Sequence, residues 1–156
     1  MNKKILFGLY VALVALFAIG TVSAFDLSDL GSIFGTPPDQ NVTIDGETFH
    51  IPGTSKENQN VSKNGTVKDY YLFKSTEYAK GYTNKTNFIN ILIFDYNGTE
   101  LDVNLINYNN GTPKNISGVK GFMYHDGTAY TYSYAKGNKV ISIQTDKESL
   151  IAPVMA

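Results

Sequence analysis

The sequence lacks three residue types on which whole classes of protein site depend. Its 156 residues contain no cysteine and no tryptophan, and all 13 basic residues are lysine, so arginine is absent as well. Without cysteine there is no disulfide, no thiol nucleophile, no cysteine-ligated zinc and no lipid attached at a cysteine. Without arginine there is no bidentate phosphate clamp, and a net charge of −1 provides no basic surface for nucleic acid. The composition therefore argues against enzymes with a thiol nucleophile, cysteine-ligated zinc sites and nucleic-acid-binding proteins.

The short motifs that mark common catalytic and nucleotide sites are also missing. The chain has no GxSxG, HExxH, P-loop, GxGxxG or EF-hand pattern. Its two histidines, His50 and His125, fall in separate predicted hairpins, and Asp95 and Glu100 lie on either side of a predicted turn. Isolated histidines form neither a zinc site nor a base–nucleophile pair, and acids beside a turn are typical of solvated charges. We therefore predict a protein without catalytic residues, cofactor or metal site, which is not an enzyme.

The N-terminus has the pattern of an export signal. Asn2–Lys4 is basic, Ile5–Ile19 is apolar apart from glycine, and Val22–Ala24 consists of small residues. This pattern predicts a signal peptide over residues 1–24 and a mature chain that is secreted or held on the outer face of the cell membrane. The alternative is an uncleaved anchor, because Ile5–Val22 just reaches the length of a membrane span. Contact with a membrane is expected only through this segment.

The remainder divides into a tether over residues 25–40 and a single β-rich domain over residues 41–156. Gly35–Asp39, with two prolines, ends any helix that the tether contains. Within the domain, Phe88–Tyr96 is apolar on both faces, which predicts an interior strand covered on both sides. Asn97-Gly98 has the residues of a type I′ turn, so we predict a central hairpin between this strand and Leu101–Ile106.

Further turns and polar stretches divide the rest of the domain. Asp45-Gly46 and Asp126-Gly127 predict two more short hairpins. Gly53–Gly65 and Asn107–Gly118 are polar without apolar periodicity and are predicted to be loops, Val67–Ser75 is predicted to be a strand, and Thr76–Thr86 is predicted to be a connector.

The C-terminal segment is the one place where a helix is expected. Thr145–Glu148 has the residues of a capping box, and Pro153 limits the helix to about two turns. The predicted fold is therefore α+β and mainly β, an antiparallel meander sheet of about seven or eight strands with one short C-terminal helix packed on a face.

Seven Asn-x-Ser/Thr sequons are the most distinctive feature of the exported part, an excess over what its Asn, Ser and Thr content would produce by chance. N-glycosylation requires a surface position in an exported protein. Turn chemistry offers a second explanation for part of the set, because Asn-Gly suits a turn and threonine suits the strand that follows. The candidate glycosylation sites are Asn41, Asn60, Asn64, Asn84, Asn97, Asn110 and Asn115.

Tyr130, Tyr132 and Tyr134 alternate along one predicted strand and so share a face. An exposed aromatic row of this kind stacks on sugar rings, which makes it a possible ligand face. Packing beneath the helix or against neighbouring strands is the more common use of large aromatic residues, and it is the interpretation that we favour.

Some short segments carry a resemblance to known proteins. The short leader, the strand end Phe49–Pro52, and the closing run Tyr132–Thr145 and Asp146–Ile151 resemble small exported proteins of methanogenic archaea. A strand ending in Ile-Pro near the start and a closing helix also resemble the PsbP/Mog1-type α+β fold, although this chain lacks clear internal helices. The resemblance implies an exported α+β domain, and no activity is transferred with it.

These features together predict an exported, N-glycosylated domain at the cell surface or in the envelope, without catalytic activity. Its expected partners are envelope polysaccharide or surface proteins. One alternative is a carbohydrate-binding or adhesive module that uses the tyrosine face, and another is a secreted hydrolase with converging acidic and histidine residues.

Overall fold

A computed structural model describes residues 36–70, 73–98, 101 and 111–155. Nine strands and one short helix, which follows a 3-10 turn over Glu148–Leu150, make up this part of the chain. In chain order they are β1 (Gln40–Ile44), β2 (Glu47–Ile51), β3 (Lys56–Tyr70), β4 (Phe73–Thr83), β5 (Phe88–Asp95), β6 (Thr112–Ile116), β7 (Val119–His125), β8 (Tyr130–Lys136), β9 (Lys139–Thr145) and α1 (Ile151–Val154).

The strands form two antiparallel sheets. β1 and β2 pair with each other, and the other seven form a sheet in the order β3-β4-β5-β9-β8-β7-β6. Two meanders, β3 to β5 and β6 to β9, are therefore joined side by side through the β5–β9 pair. The predicted fold class is confirmed: a mainly β domain with a seven-stranded antiparallel sheet and one short C-terminal helix.

The predicted central hairpin is wrong in its partner. β5 lies inside the sheet, as expected, but its two neighbours are β4, paired from Phe88 to Asp95, and β9, paired from Ile89 to Asp95. Both edges of β5 are thus occupied, and no edge is left for a strand starting at Leu101. Asn97-Gly98 still forms a turn with positive φ at both residues. Residues 102–110 lie outside the described part of the chain.

Three segments that were predicted to be loops or connectors contain strands. Lys56–Tyr70 is a single strand of 15 residues across most of the predicted loop Gly53–Gly65, and the predicted connector Thr76–Thr86 is largely β4. β6 occupies Thr112–Ile116 within the second predicted loop. β3 and β6 are the two outermost strands of the large sheet, where backbone pairing needs no apolar side chains, so the apolar periodicity on which the prediction relied is missing.

The hydrophobic core lies on one face of the large sheet. Ile89, Ile91 and Ile93 of β5 lie beside Ile141 and Ile143 of β9, and none of these five side chains is more than 2% exposed. The β1–β2 sheet contributes Ile44, Phe49 and Ile51 to the same cluster, and α1 contributes Ile151 and Val154. We call this side of the sheet the core face.

The opposite face of the large sheet has more polar side chains than the core face, and several of them are small. Leu92 and Phe94 of β5 are half-buried there, so the cover predicted for both sides of β5 is complete on the core face and partial on the opposite face. A buried hydrogen bond of 2.8 Å joins the hydroxyl groups of Ser133 and Ser142, and Asn90 donates to the side chain of Gln144 at 3.1 Å. Hydrogen-bonded polar pairs thus replace apolar contacts on this face.

The C-terminal helix packs on the core face through Ile151 and Val154, as predicted. The capping box is not formed, however, because no side chain caps the 3-10 turn or α1. The hydroxyl of Thr145 instead donates to the backbone carbonyl of Lys147 at 2.7 Å. Since a hydroxyl that donates to a carbonyl does not serve an N–H of the first turn, the helix depends on burial of its apolar residues.

No helix among the described residues is long and apolar enough to cross a membrane. The predicted signal peptide and most of the predicted tether lie outside the described residues. The last tether residue, Gln40, begins β1, and its side-chain amide donates to the carbonyl of Ser55 at 3.1 Å.

Candidate functional site

The sequons occupy two kinds of position. Asn84 and Asn97 lie in turns at the two ends of β5, whereas the other four described sequon asparagines lie on β1, β3 and β6. The side chains of five of the six are exposed, namely Asn41, Asn60, Asn64, Asn97 and Asn115, and Asn84 is half-buried. Asn110 lies outside the described residues.

Asn41 pairs with His50 across the β1–β2 ladder, and its side-chain oxygen contacts Nδ1 of the histidine ring. The amide nitrogen, which is the atom that an N-glycan uses, is not engaged in this contact. His50 is therefore a cross-strand neighbour of a sequon.

Asn60 and Asn64 lie at the two irregularities of β3. The ladder with β4 shifts register between Asn58 and Lys63 and again between Asn64 and Thr66. Extra residues at a bulge are not paired with the neighbouring strand and bend the strand. The first bulge is closed by a hydrogen bond of 2.9 Å from the hydroxyl of Ser62 to Glu57, and Asn60 within it is exposed.

The first bulge is positioned by a close contact with β4. A Cβ added to Gly81 would lie 2.7 Å from Cβ of Val61, a distance at which one of the two must move. The absence of a side chain at Gly81 thus allows Val61 to pack down on the sheet. Val61 is half-buried at this contact, whereas the preceding sequon residue, Asn60, is exposed.

Asn84 has the most engaged side chain of the six. Its Oδ1 accepts hydrogen bonds from the backbone N–H groups of Thr86 and Asn87, at 2.9 and 2.8 Å, and from the Thr86 hydroxyl at 3.1 Å. Such an Asx turn is a local use of asparagine at a strand connection. At this sequon, the structure of the turn is by itself a sufficient reason for asparagine.

Asn97 and Asn115 are both exposed and adjoin tight turns. Asn97 has φ of 54°, which asparagine tolerates better than most residues, and its N–H donates to Asp95 at 2.8 Å. Asn115 lies on β6, just before a Ser117-Gly118 turn in which both residues have positive φ.

The tyrosine row belongs to the core and does not form an exposed platform. Tyr132 is 0% exposed and Tyr134 is 7% exposed, while Tyr130 is half-buried. The hydroxyl of Tyr132 donates to the carbonyl of Val119 at 2.7 Å, and burial raises the pKa of the Tyr132 and Tyr134 hydroxyls. The packing interpretation favoured from the sequence agrees with this placement, because aromatic stacking on a sugar requires an accessible ring face.

The second histidine and the nearby acids serve turns and strand ends. His125 stacks on the Tyr130 ring with centroids 4.1 Å apart. Asp126 accepts hydrogen bonds from the Thr128 hydroxyl and from the N–H groups of Thr128 and Ala129, at 2.7 to 2.8 Å, and these bonds lower the pKa of its carboxyl to about 2. Glu100 lies outside the described residues, so its pairing with Asp95 is not tested. No group of three His, Asp or Glu side chains in the described chain is placed to hold a metal ion.

One charged cluster was not anticipated from the sequence. Nζ of Lys139 lies 3.1 Å from Asp45 and 3.5 Å from Glu47, and Lys136 lies 2.6 Å from Glu47. Burial lowers the pKa of Lys139, but the hydrogen bond and the charges of Asp45 and Glu47 outweigh it and leave the pKa raised. The cluster joins the β1–β2 turn to the β8–β9 turn. Sequence reasoning did not find it because the partners are about 90 residues apart.

Two shallow cavities flank the β1–β2 sheet. One of about 280 Å³ lies between β2 and β8 and includes Phe49, Tyr134 and Lys136. The other, of about 410 Å³, lies between β1 and the β3–β4 pair and includes Glu57, Ser62 and Tyr78. Neither combines converging acid and histidine side chains.

Comparisons with known proteins do not place the chain in a family. No family model matches it, and no curated protein or solved structure matches it at a significant level.

Proposed function

We propose that this chain is an exported, N-glycosylated domain that acts at the cell surface or in the envelope without catalysing a reaction. The observation that carries the proposal is the exposure of five sequon asparagines on strands and turns of one sheet domain. N-glycan transfer needs an accessible asparagine with Ser or Thr two positions later, and these five meet both conditions. The export pattern of the first 24 residues is the second line of support.

A non-catalytic role is supported by how the charged and titratable residues are used. Asp126 and Asp95 accept hydrogen bonds within turns. His50 and His125 contact residues on the neighbouring strand. Lys139 forms an ion pair that links the β8–β9 turn to the β1–β2 turn. A secreted hydrolase would bring such groups together in one cleft. These residues are instead distributed over separate hairpins.

The test is the intact mass of the protein recovered from its native host, with cell and medium fractions kept separate. The proposal expects a chain that starts at Phe25 and carries additional mass in sugar-sized steps. An unmodified chain that retains Met1 in the membrane fraction would contradict it, and the sequons would then be explained by turn chemistry alone.

A further inference from the structure

The described sequons on strands are confined to the outermost strands. β3 and β6 are the ends of the seven-stranded sheet, and β1 is one of the two strands of the smaller sheet. These three strands contain the sequon residues Asn41, Asn60, Asn64 and Asn115. The five interior strands of the large sheet contain no sequon residue, and Asn90 on β5 is followed by Ile91 and Leu92.

An outermost strand presents unpaired backbone groups to the surroundings. Within the described chain, β3 pairs only with β4 and β6 only with β7, so no other described strand pairs with the outer edge of either. A row of free N–H and C=O groups is a template for strand addition by another chain, and β3 extends over 15 residues. A folded domain with two such edges therefore needs devices that prevent edge-to-edge association.

Other devices of this kind occur on the same strands. β3 contains two bulges, which interrupt the regular spacing of its edge groups, and β6 contains Pro113, which has no N–H to donate. The bulges of β3 coincide with its two sequons, so the irregular backbone and the potential glycan occur together. Polar composition alone also favours asparagine at an edge. Of the five asparagines on β1, β3 and β6, however, four have Ser or Thr two positions later, and only Asn58 does not.

We infer that glycans at Asn41, Asn60, Asn64 and Asn115 shield the outermost strands and keep the domain from associating through β1, β3 and β6. This inference rests on the proposed function, since it requires that the sequons are modified. An N-glycan is bulky and hydrated, and a glycan on a strand excludes a second backbone from the adjacent edge. The surface that the glycans cover is one that would bind a second copy of this chain.

The experiment compares four samples of the full chain from one secretory host that glycosylates Asn-x-Ser/Thr. The first is the wild type, and the second is the quadruple variant Asn41→Gln, Asn60→Gln, Asn64→Gln and Asn115→Gln. The third is the control variant Thr99→Ala, which removes the sequon of Asn97 at a turn and leaves the edge sequons intact. A fourth sample, the wild type made under inhibition of N-glycan synthesis, has the native sequence without sugar. Intact mass establishes the glycan number of each, and sedimentation velocity over a concentration series establishes its oligomeric state.

We expect the glycosylated wild type and Thr99→Ala to remain monomeric. The quadruple variant and the sugar-free wild type should both shift to dimers and larger species as concentration rises. Hydrogen exchange should then show that amide groups of β1, β3 or β6 become protected with concentration, since strand addition would engage them. Agreement between the quadruple variant and the sugar-free wild type excludes an effect of glutamine itself.

The possible failures can be distinguished. A wild type without sugar in its native host and in the secretory host would overturn both the proposed function and this inference. A glycosylated wild type that associates as strongly as the sugar-free chain would overturn only the inference, as would a sugar-free chain that stays monomeric. Association without protection of β1, β3 or β6 would also overturn it, because the contact would then lie elsewhere.

Discussion

β5 and β3 are neighbours of β4 on its two sides, yet they are held in different ways. β5 contributes Ile89, Ile91 and Ile93 to the core, each at most 2% exposed, whereas β3 has exposed side chains from Ser62 to Val67, with Val67 itself 60% exposed. Both are regular enough to be strands. The difference shows that backbone pairing is sufficient for a strand at the edge of a sheet, while an interior strand is fixed by burial of its side chains.

β3 nevertheless makes a few side-chain contacts with β4. Val61 packs against Gly81, and Lys63 forms an ion pair of 2.8 Å with Glu77, whose side chain is only 6% exposed. A further ion pair of 3.6 Å joins Glu57 of β3 to Lys80 of β4, and backbone hydrogen bonds pair the two strands along the ladder. We therefore expect substitutions in β5 and its neighbours to reduce stability strongly, and most substitutions in β3 to have small effects.

The largest difference is expected between Ile91→Ala and Val67→Ala. Ile91 is fully buried, so its truncation should lower the free energy of unfolding by about 2–5 kcal/mol through lost burial and a cavity. Val67→Ala at the edge should change it by less than about 0.5 kcal/mol. Urea unfolding of both variants measures this difference, and similar values for the two would contradict the comparison.

Gly81→Ala should be the edge-related substitution with the largest effect. The new Cβ would lie 2.7 Å from Val61, so the first bulge of β3 has to move, at a cost of about 1–3 kcal/mol. Adding Val61→Gly should restore part of the loss, because the conflicting side chain is removed. A double-mutant cycle in urea measures the coupling between the two positions. Strictly additive effects would mean that this contact does not position the bulge.

Tyr132→Phe tests a polar contact inside the core. The substitution keeps the buried ring and removes a hydroxyl that donates to the carbonyl of Val119, so we expect a loss of about 1–2 kcal/mol. Tyr124→Phe on β7, where the side chain is 38% exposed, is the control and should have little effect. The relevant measurement is thermal or urea unfolding at neutral pH. A neutral result for Tyr132→Phe would show that the hydrogen bond contributes no net stability.

Tyr82→Phe should change how stability depends on alkaline pH. Burial, together with the charge of Glu57, raises the pKa of Tyr82 from 10.0 to about 12. A group whose pKa is raised by folding stabilises the folded state fully below its unfolded pKa, and that contribution is lost as pH rises from about 10 through 12. Its hydroxyl has no hydrogen-bond partner among the described residues, so Tyr82→Phe should be nearly neutral at pH 7 and should lessen the alkaline loss. Unfolding at pH 7 and at pH values above 10 tests both statements. An unchanged alkaline slope would show that Tyr82 does not contribute to it.

The smallest effect is expected at the other edge. Lys114 on β6 forms an ion pair with Glu148, and both side chains are more than a third exposed. Because exposed pairs are screened by water, Lys114→Ala should lower stability by at most about 0.5 kcal/mol. A larger loss in urea unfolding would indicate that β6 is held to the domain by this pair.

The same contrast explains which parts of the fold and of the candidate site were predictable. The strand over Phe88–Tyr96, the hairpin turns at Asp45-Gly46 and Asp126-Gly127, and the terminal helix were found because apolar periodicity and turn residues are local signals. Most of β3 and all of β6 were predicted to be loops because an edge strand does not require apolar side chains. The sequons were visible as motifs, but their concentration on the outermost strands followed only from the strand order.

Sequence alone determined that the chain is mainly β, that its sheet is antiparallel and that it ends in one short helix, because alternation, turn residues and proline act within a few positions. The tertiary structure decided that β9 pairs with β5, that Tyr132 and Tyr134 pack in the core, and that Lys139 reaches Asp45. Each of these is a contact between segments far apart in the chain. Such contacts depend on which surfaces bury the most apolar area together, and no local pattern encodes that choice.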